Sequence, residues 1–241
     1  MDVRVISIGT LATHPLWDER PVAGRKSVRA GHATTTLIRA GDAVILVDPS
    51  LPPEIIASRL NERSGLRPRD VTHVFLTSFK PDCRRGVHAF EDATWWISSE
   101  EREQVGVPLL LRLKQEASLD SDEGEGDGAA DSELMEALRA DAGVLQRCQP
   151  PPDSLTRGVD LFPLPGVTPG TCGLLISLPR ATLLVCGDAV ATTEHLERGQ
   201  ILPGAVNVDQ AMASFREAIE IADVLIPGRD NVTINPTRRP F

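Results

Sequence analysis

The residues best able to do chemistry in this sequence lie in short loops that follow apolar strands. In the first such loop, VFLTSFKPDC, a strand is followed by a lysine, an aspartate and a cysteine at Lys80, Asp82 and Cys83. Two later stretches, LLVCGDAV and VLIPGRD, end in the same way at Asp188 and Arg229. Carboxylates and thiolates bind metal ions, whereas lysine and arginine bind anions or neutralise acids. These strand ends are therefore where we expect a functional site.

A fourth strand end, LPGVTPGTCG, lies between the first two, and the order and spacing of all four resemble the metallo-β-lactamase superfamily. The resemblance spans nearly the whole chain. The stretch VILVDPS is similar to the family's opening aspartate-containing strand, which implies that Asp48 supports the metal loop from behind. The resemblance implies a four-layer αββα sandwich, an α/β (α+β) fold, in one domain over residues 1–241. It also implies a pair of metal ions that activate a hydroxide.

Most of the residues that hold metal in that family are replaced here. The family's first loop reads Thr-His-x-His-x-Asp-His, whereas this chain reads TSFKPDC, and the last two histidine positions carry a valine and an arginine. Only the two aspartates, Asp82 and Asp188, keep the expected residue. We assign no catalytic residue, and we call the set of corresponding positions the vestigial site. Its members are Ser78, Lys80, Asp82, Cys83, Val167, Asp188 and Arg229.

Charge balance accounts for these replacements without metal. Without metal ions, Asp82 and Asp188 would be buried negative charges that lack compensation, which costs on the order of several kcal/mol. Lys80 and Arg229 return two positive charges, so we predict that they fill the metal volume and pair with the two acids. On this account no metal and no other cofactor is expected. The alternative is a single zinc or iron ion on the two aspartates and Cys83, which the permanent charge of Arg229 opposes.

Two function classes follow from the vestigial site. The first is a non-catalytic pseudoenzyme with a binding or regulatory role, for an anionic small molecule or a protein partner. The second is a hydrolase of an ester, thioester or related bond that uses one atypical metal ion or none. The charge balance favours the first class, although one scaffold can serve many chemistries.

The cations of the first loop allow further interpretations. Lys80, Arg84, Arg85 and Arg229 could form an anion-binding pocket, or they could be solvated or paired within the protein. Cys83 is interpreted as a small side chain that fills a former histidine position. The alternative is a nucleophilic thiolate, because the neighbouring cations are expected to lower its thiol pKa.

Composition limits the partners and the location. The 241 residues are 41% hydrophobic and carry a net charge of −9, which argues against a nucleic-acid partner. The four cysteines are scattered without a CxxC pair, which is typical of reduced thiols in the cytoplasm. We find no leader sequence and no apolar stretch long enough to span a membrane, so we expect a cytoplasmic protein without membrane contacts. The sequence does not indicate an oligomeric state.

Periodicity predicts the elements that position these loops. TTTLIRAGDAVILVDPS indicates a strand hairpin, PPEIIASRLNERSG a helix, and NVDQAMASFREAIEIA a long helix with one apolar stripe from Val208 to Ala222. Residues 117–133 are acidic and glycine-rich, which predicts a flexible surface loop or, alternatively, a cation-binding loop. Strands followed by helices in both halves predict two sheets packed face to face with helices outside.

Overall fold

Alternating apolar residues form strands in both halves of the chain, and the computed structural model places them in two sheets. It describes residues 1–12, 30–119 and 128–238, and of 116–119 and 128–132 it describes the backbone alone. The strands are β1 (Asp2–Ser7), β2 (Thr35–Ala40), β3 (Ala43–Val47), β4 (His73–Leu76), β5 (Thr94–Ile97), β6 (Ser154–Thr156), β7 (Val159–Pro163), β8 (Cys172–Leu178), β9 (Ala181–Gly187), β10 (Val224–Pro227) and β11 (Thr233–Ile234). The α-helices are α1 (Pro53–Ser64), α2 (Pro81–Arg84), α3 (Ser99–Leu119), α4 (Gly128–Arg147), α5 (Thr193–Arg198) and α6 (Val208–Ile221).

Each half of the chain contributes one sheet. The first sheet has the order β1-β2-β3-β4-β5 and the second the order β11-β10-β9-β8-β7-β6. The pairs β3–β4, β4–β5 and β9–β10 are parallel, and the remaining pairs are antiparallel. Because parallel strands end at the same edge of a sheet, the loops after β3, β4 and β5 lie along one edge of the first sheet, and the loops after β9 and β10 lie along one edge of the second.

Strand alternation sends neighbouring residues to opposite faces, so the core has three layers. Between the sheets, Ile38 and Phe75 of the first sheet belong to one buried cluster with Leu174 of the second. Outside the first sheet, residues of α1 and α4 pack on its other face, with α3 at the margin of that cluster. Outside the second sheet, Phe215 of α6 packs with Leu184 of β9. This arrangement confirms the predicted αββα sandwich.

Two predicted details differ from the structure. The buried residues of α6 are Ala211, Ser214, Phe215 and Ala218, whereas Val208, the first residue of the helix, is 61% exposed. The segment 117–133, predicted as a loop, contributes its first residues to α3 and its last to α4. The remainder, residues 120–127, lies outside the described residues. Among the described helices, none combines the length and the apolar character needed to cross a membrane.

Candidate functional site

The loops that carry the vestigial site are brought together by close backbone contacts at the ends of the strands. The amide of Gly228, after β10, donates to the carbonyl of Val190, after β9, at 3.0 Å. A Cβ atom on Gly228 would lie 2.5 Å from the Gly187 carbonyl oxygen, and one on Gly187 would lie 2.8 Å from Cβ of Thr77. Glycine at both positions therefore lets the loops after β4, β9 and β10 approach one another.

Arg229 lies between the two retained aspartates. Its Nε donates to Oδ1 of Asp188 at 2.7 Å and its Nη2 to Oδ2 of the same carboxylate at 2.8 Å. Nη2 also donates to Oδ1 of Asp82 at 3.2 Å, and Nη1 donates to the other oxygen of Asp82. The side chains of Arg229 and Asp188 are 3% and 2% exposed, so this pair is buried and bidentate.

Lys80 completes the charge balance. Its Nζ donates to Oδ2 of Asp188 at 2.8 Å, and a third of the lysine side chain stays exposed. Burial alone would raise the pKa of Asp188, but the charges and hydrogen bonds of Arg229 and Lys80 outweigh it and hold that pKa well below its usual range. The two carboxylates are thus balanced by two cations.

Cys83 and its neighbour Ser78 are buried at the centre of the vestigial site. Ser78 is fully buried, and its Oγ lies 3.5 Å from Sγ of Cys83. Burial raises the pKa of the Cys83 thiol well above its ordinary value, the charge of Asp48 raises it further, and Arg229 opposes the shift. The predicted lowering of this pKa is therefore wrong, because desolvation outweighs the neighbouring cation. Val167, which stands where the resemblance implies a metal-binding histidine, is also buried.

The four candidate cations of the anion pocket have different surroundings. Arg84 donates to the carbonyl of Phe79 at 3.0 Å and pairs with Asp141 of α4 at 2.7 Å. Arg85 is exposed. Arg84 therefore makes its ion pair with α4, whereas Arg229 and Lys80 make theirs with acids of the vestigial site.

Asp48 holds the first loop from behind, at the end of β3. It accepts hydrogen bonds from the amide of Thr77 at 2.9 Å and from its hydroxyl at 2.7 Å. Its backbone has φ 47°, which is uncommon for residues other than glycine but tolerated by aspartate. Burial raises the pKa of Asp48 to about 7, although the hydrogen bonds from Thr77 lower it in part.

Sequence reasoning did not assign a role to Glu101, which joins two of the loops. This buried side chain accepts hydrogen bonds from the amides of Phe79 and Gly170, both at 2.9 Å, and from the hydroxyl of Thr168 at 2.7 Å. Ser98 caps the start of α3 by accepting from the Glu101 amide at 3.2 Å. The Ser-x-x-Glu pattern is the signature of a capping box, but here the glutamate contacts distant loops instead of the cap.

Comparison with known protein families relates the chain to one family over most of its length. Residues 28–228 match the model of the metallo-beta-lactamase superfamily. A probable metallo-hydrolase of Mycobacterium tuberculosis is 28% identical over 166 residues, which are 66% of this chain and 50% of that protein. A probable metallo-hydrolase of Mycobacterium bovis has the same values. The chain therefore spans about half the length of these curated relatives.

Solved structures share the fold at low sequence identity. A Thermotoga maritima protein, named as a candidate metallo-beta-lactamase, superposes with a TM-score of 0.62 at 16% identity, over 97% of this chain and 98% of that one. AidC, a dizinc quorum-quenching lactonase, superposes with a TM-score of 0.59 at 18% identity, over 78% of this chain and 67% of that one. At these identities the structures support the fold.

The prediction that no cofactor is expected is corrected by these similarities. AidC is a dizinc enzyme, and another similar lactonase holds its product at a catalytic metal center, which points to metal cofactors in this family. The prediction was drawn from the charge balance of Lys80 and Arg229 with the two aspartates, which concerns these positions alone and does not determine which cofactor the family uses.

The residues at the vestigial site do not fit the ligand set of a zinc pair. A zinc site needs three or four nitrogen, sulfur or carboxylate donors around each ion. Here Asp82 and Asp188 are the carboxylate donors, and both already bind the guanidinium of Arg229. Among the described residues, no group of three or more histidine, cysteine, aspartate or glutamate side chains is arranged to hold a metal ion.

Proposed function

This chain belongs to the metallo-β-lactamase superfamily, and we propose that it is a non-catalytic member that uses the fold for a binding role. The observation that carries this proposal is the position of the Arg229 guanidinium. It binds Asp82 and Asp188 together, and Lys80 binds Asp188 as well. Four of the seven positions of the vestigial site, namely Lys80, Asp82, Asp188 and Arg229, thus form an internal ion-pair network.

Three polar groups of the vestigial site, Asp188, Cys83 and Ser78, are poorly suited to hydrolysis. A general base needs a pKa near the working pH, and the pKa of Asp188 is held far below its usual range. A cysteine nucleophile reacts as the thiolate, and burial raises the pKa of Cys83 well above its ordinary value. Ser78 is fully buried beside Cys83, so a substrate carbonyl cannot approach its hydroxyl.

The pairing of the candidate cations argues against an anionic small molecule as the bound partner. An anion would need unpaired cations, but three of the four candidates, Arg229, Arg84 and Lys80, each pair with an acid of this chain, which leaves the exposed Arg85. An anionic ligand would therefore compete with Asp188 for Lys80 and find little net positive charge. We propose that the binding role is directed at another protein.

The cysteines support a cytoplasmic location for this role. All four, Cys83, Cys148, Cys172 and Cys186, are buried and free. Buried free thiols are typical of proteins from a reducing compartment.

A hydrolysis assay tests the non-catalytic assignment. The full chain, supplied with zinc, is incubated with a lactone, a thioester and a phosphodiester, and we expect no turnover above that of Asp188→Asn. The positive control is a variant that carries histidine at the five positions where the family resemblance implies one. Its substitutions are Ser78→His, Lys80→His, Cys83→His, Val167→His and Arg229→His. Turnover by the full chain that Asp188→Asn or Asp82→Asn abolishes would overturn the proposal in favour of the hydrolase.

A further inference from the structure

One side of helix α3 exposes large apolar side chains to solvent. We call the α3 face the side that carries Glu103, Val107, Leu110, Leu111 and Lys114. Val107 is 60% exposed, Leu110 52% and Leu111 55%. Residues spaced three, four and seven apart share one side of an α-helix, so these side chains form a continuous stripe.

The opposite side of α3 already has a partner within the fold. Val105 and Leu109 are partly buried and pack against the apolar cluster outside the first sheet. Each lies about half a helical turn away from Val107, because successive residues are rotated by about 100°. The exposed stripe is therefore an additional apolar surface and does not belong to the core-facing side of the amphipathic helix.

The α3 face is complementary to itself when two copies meet in antiparallel orientation. Val107 and Leu110 lie at equal distances on either side of a point midway between positions 108 and 109. Glu103 and Lys114 are also equidistant from that point in sequence, and in a regular helix each would lie about 8 Å from it at a rise of about 1.5 Å per residue. Pro108 lies inside α3 beside this point, where a proline bends a helix. A two-fold axis through this point places Val107 opposite Leu110 and Glu103 opposite Lys114 of the other copy.

We propose that the α3 face is the interface of a homodimer in which two copies of this chain pair their α3 helices in antiparallel orientation. The apolar stripe supplies the buried centre, and the acidic and basic residues at its two ends fix the direction and the register. This pairing does not involve the ion-pair network at the strand ends and is independent of the proposed non-catalytic role.

The size of the stripe sets the expected strength of the dimer. Stable interfaces bury about 800 Å² on each partner, and three partly exposed aliphatic side chains supply only a fraction of that area. We therefore expect a reversible dimer with a dissociation constant on the order of 10 μM.

Sedimentation velocity of the full chain tests the dimer. Protein concentrations from about 1 μM to about 200 μM bracket the expected dissociation constant. The wild type is expected to shift from monomer to dimer across the series. Leu110→Lys is expected to weaken association at least about tenfold, because the two-fold axis places two lysines in the apolar centre. The matched control is Ile55→Lys on α1, where a side chain that is 50% exposed lies outside the α3 face. It is expected to leave association unchanged.

A charge exchange tests the antiparallel register. Glu103→Lys and Lys114→Glu each place like charges opposite one another, and each is expected to weaken association several-fold. The double variant restores opposite charges and is expected to return to within about threefold of the wild type. Circular dichroism confirms that each variant is folded. A wild type that stays monomeric, a control as disruptive as Leu110→Lys, or a double variant as weak as the single ones would overturn the proposal.

Discussion

Arg229 combines two roles at the vestigial site, because it supplies a positive charge and also links the two retained aspartates. Its fixed charge compensates Asp188, and its planar guanidinium also reaches Asp82. A lysine could supply the charge but not two parallel hydrogen bonds to one carboxylate. The burial of both partners means that neither charge is solvated if the other is removed.

We expect Arg229→Gln to lower the free energy of unfolding by about 3 kcal/mol, because Asp188 would remain buried with Lys80 as its one cation. Urea unfolding followed by circular dichroism measures the loss. The exposed Arg85 supplies the matched control, and Arg85→Gln is expected to change stability by less than about 0.5 kcal/mol. Adding Asp188→Asn to Arg229→Gln removes the unpaired charge and should recover part of the loss. A loss below about 1 kcal/mol for Arg229→Gln would contradict the buried ion pair.

The elements differ in how far local sequence determines them. The strand ends and the αββα order were predictable, because apolar alternation and glycine- or proline-containing turns are local signals. The role of Glu101 could not be predicted, since its carboxylate accepts a hydrogen bond from Thr168, which lies 67 residues away in the sequence. The rise in the pKa of Cys83 was missed for the same reason: burial depends on packing that neighbouring residues do not encode. For α6, periodicity predicted the helix, but its buried side includes Ala211 and Ser214 and excludes Val208.

Glu101 connects the start of α3 to the loops after β4 and β7, so its replacement tests whether one element positions two others. Glu101→Gln keeps the shape but offers a single acceptor oxygen to three donors, and we expect a loss of about 1–3 kcal/mol. Hydrogen exchange at the amides of Phe79 and Gly170 should accelerate, which locates the effect in the loops. The control is Glu100→Gln, which replaces the exposed glutamate of the same first turn, and both quantities should stay near wild type. Unchanged exchange at both amides would contradict this role.

At the scale of the whole molecule, the buried acids Asp48 and Asp188 respond to pH in opposite ways. The pKa of Asp188 is depressed in the folded state, so its contribution to stability is present above about pH 4 and is lost as the pH falls further. The pKa of Asp48 is raised to about 7 from 3.8, so the folded protein binds the extra proton between those values. Stability therefore falls as the pH rises through this window.

Asp48→Asn isolates the second effect, because asparagine resembles the protonated carboxyl group and tolerates the positive φ at this position. We expect the stability of the variant relative to the wild type to increase by about 2–3 kcal/mol from pH 5 to pH 8, since the cost of ionising the buried carboxyl group grows over this range in the wild type alone. Urea unfolding of both proteins at intervals from pH 5 to pH 8 measures the difference, in which the titration of all other groups largely cancels. A difference that stays constant across this range would mean that Asp48 is ionised throughout. In that case the hydrogen bonds from Thr77, and not burial, would dominate its pKa.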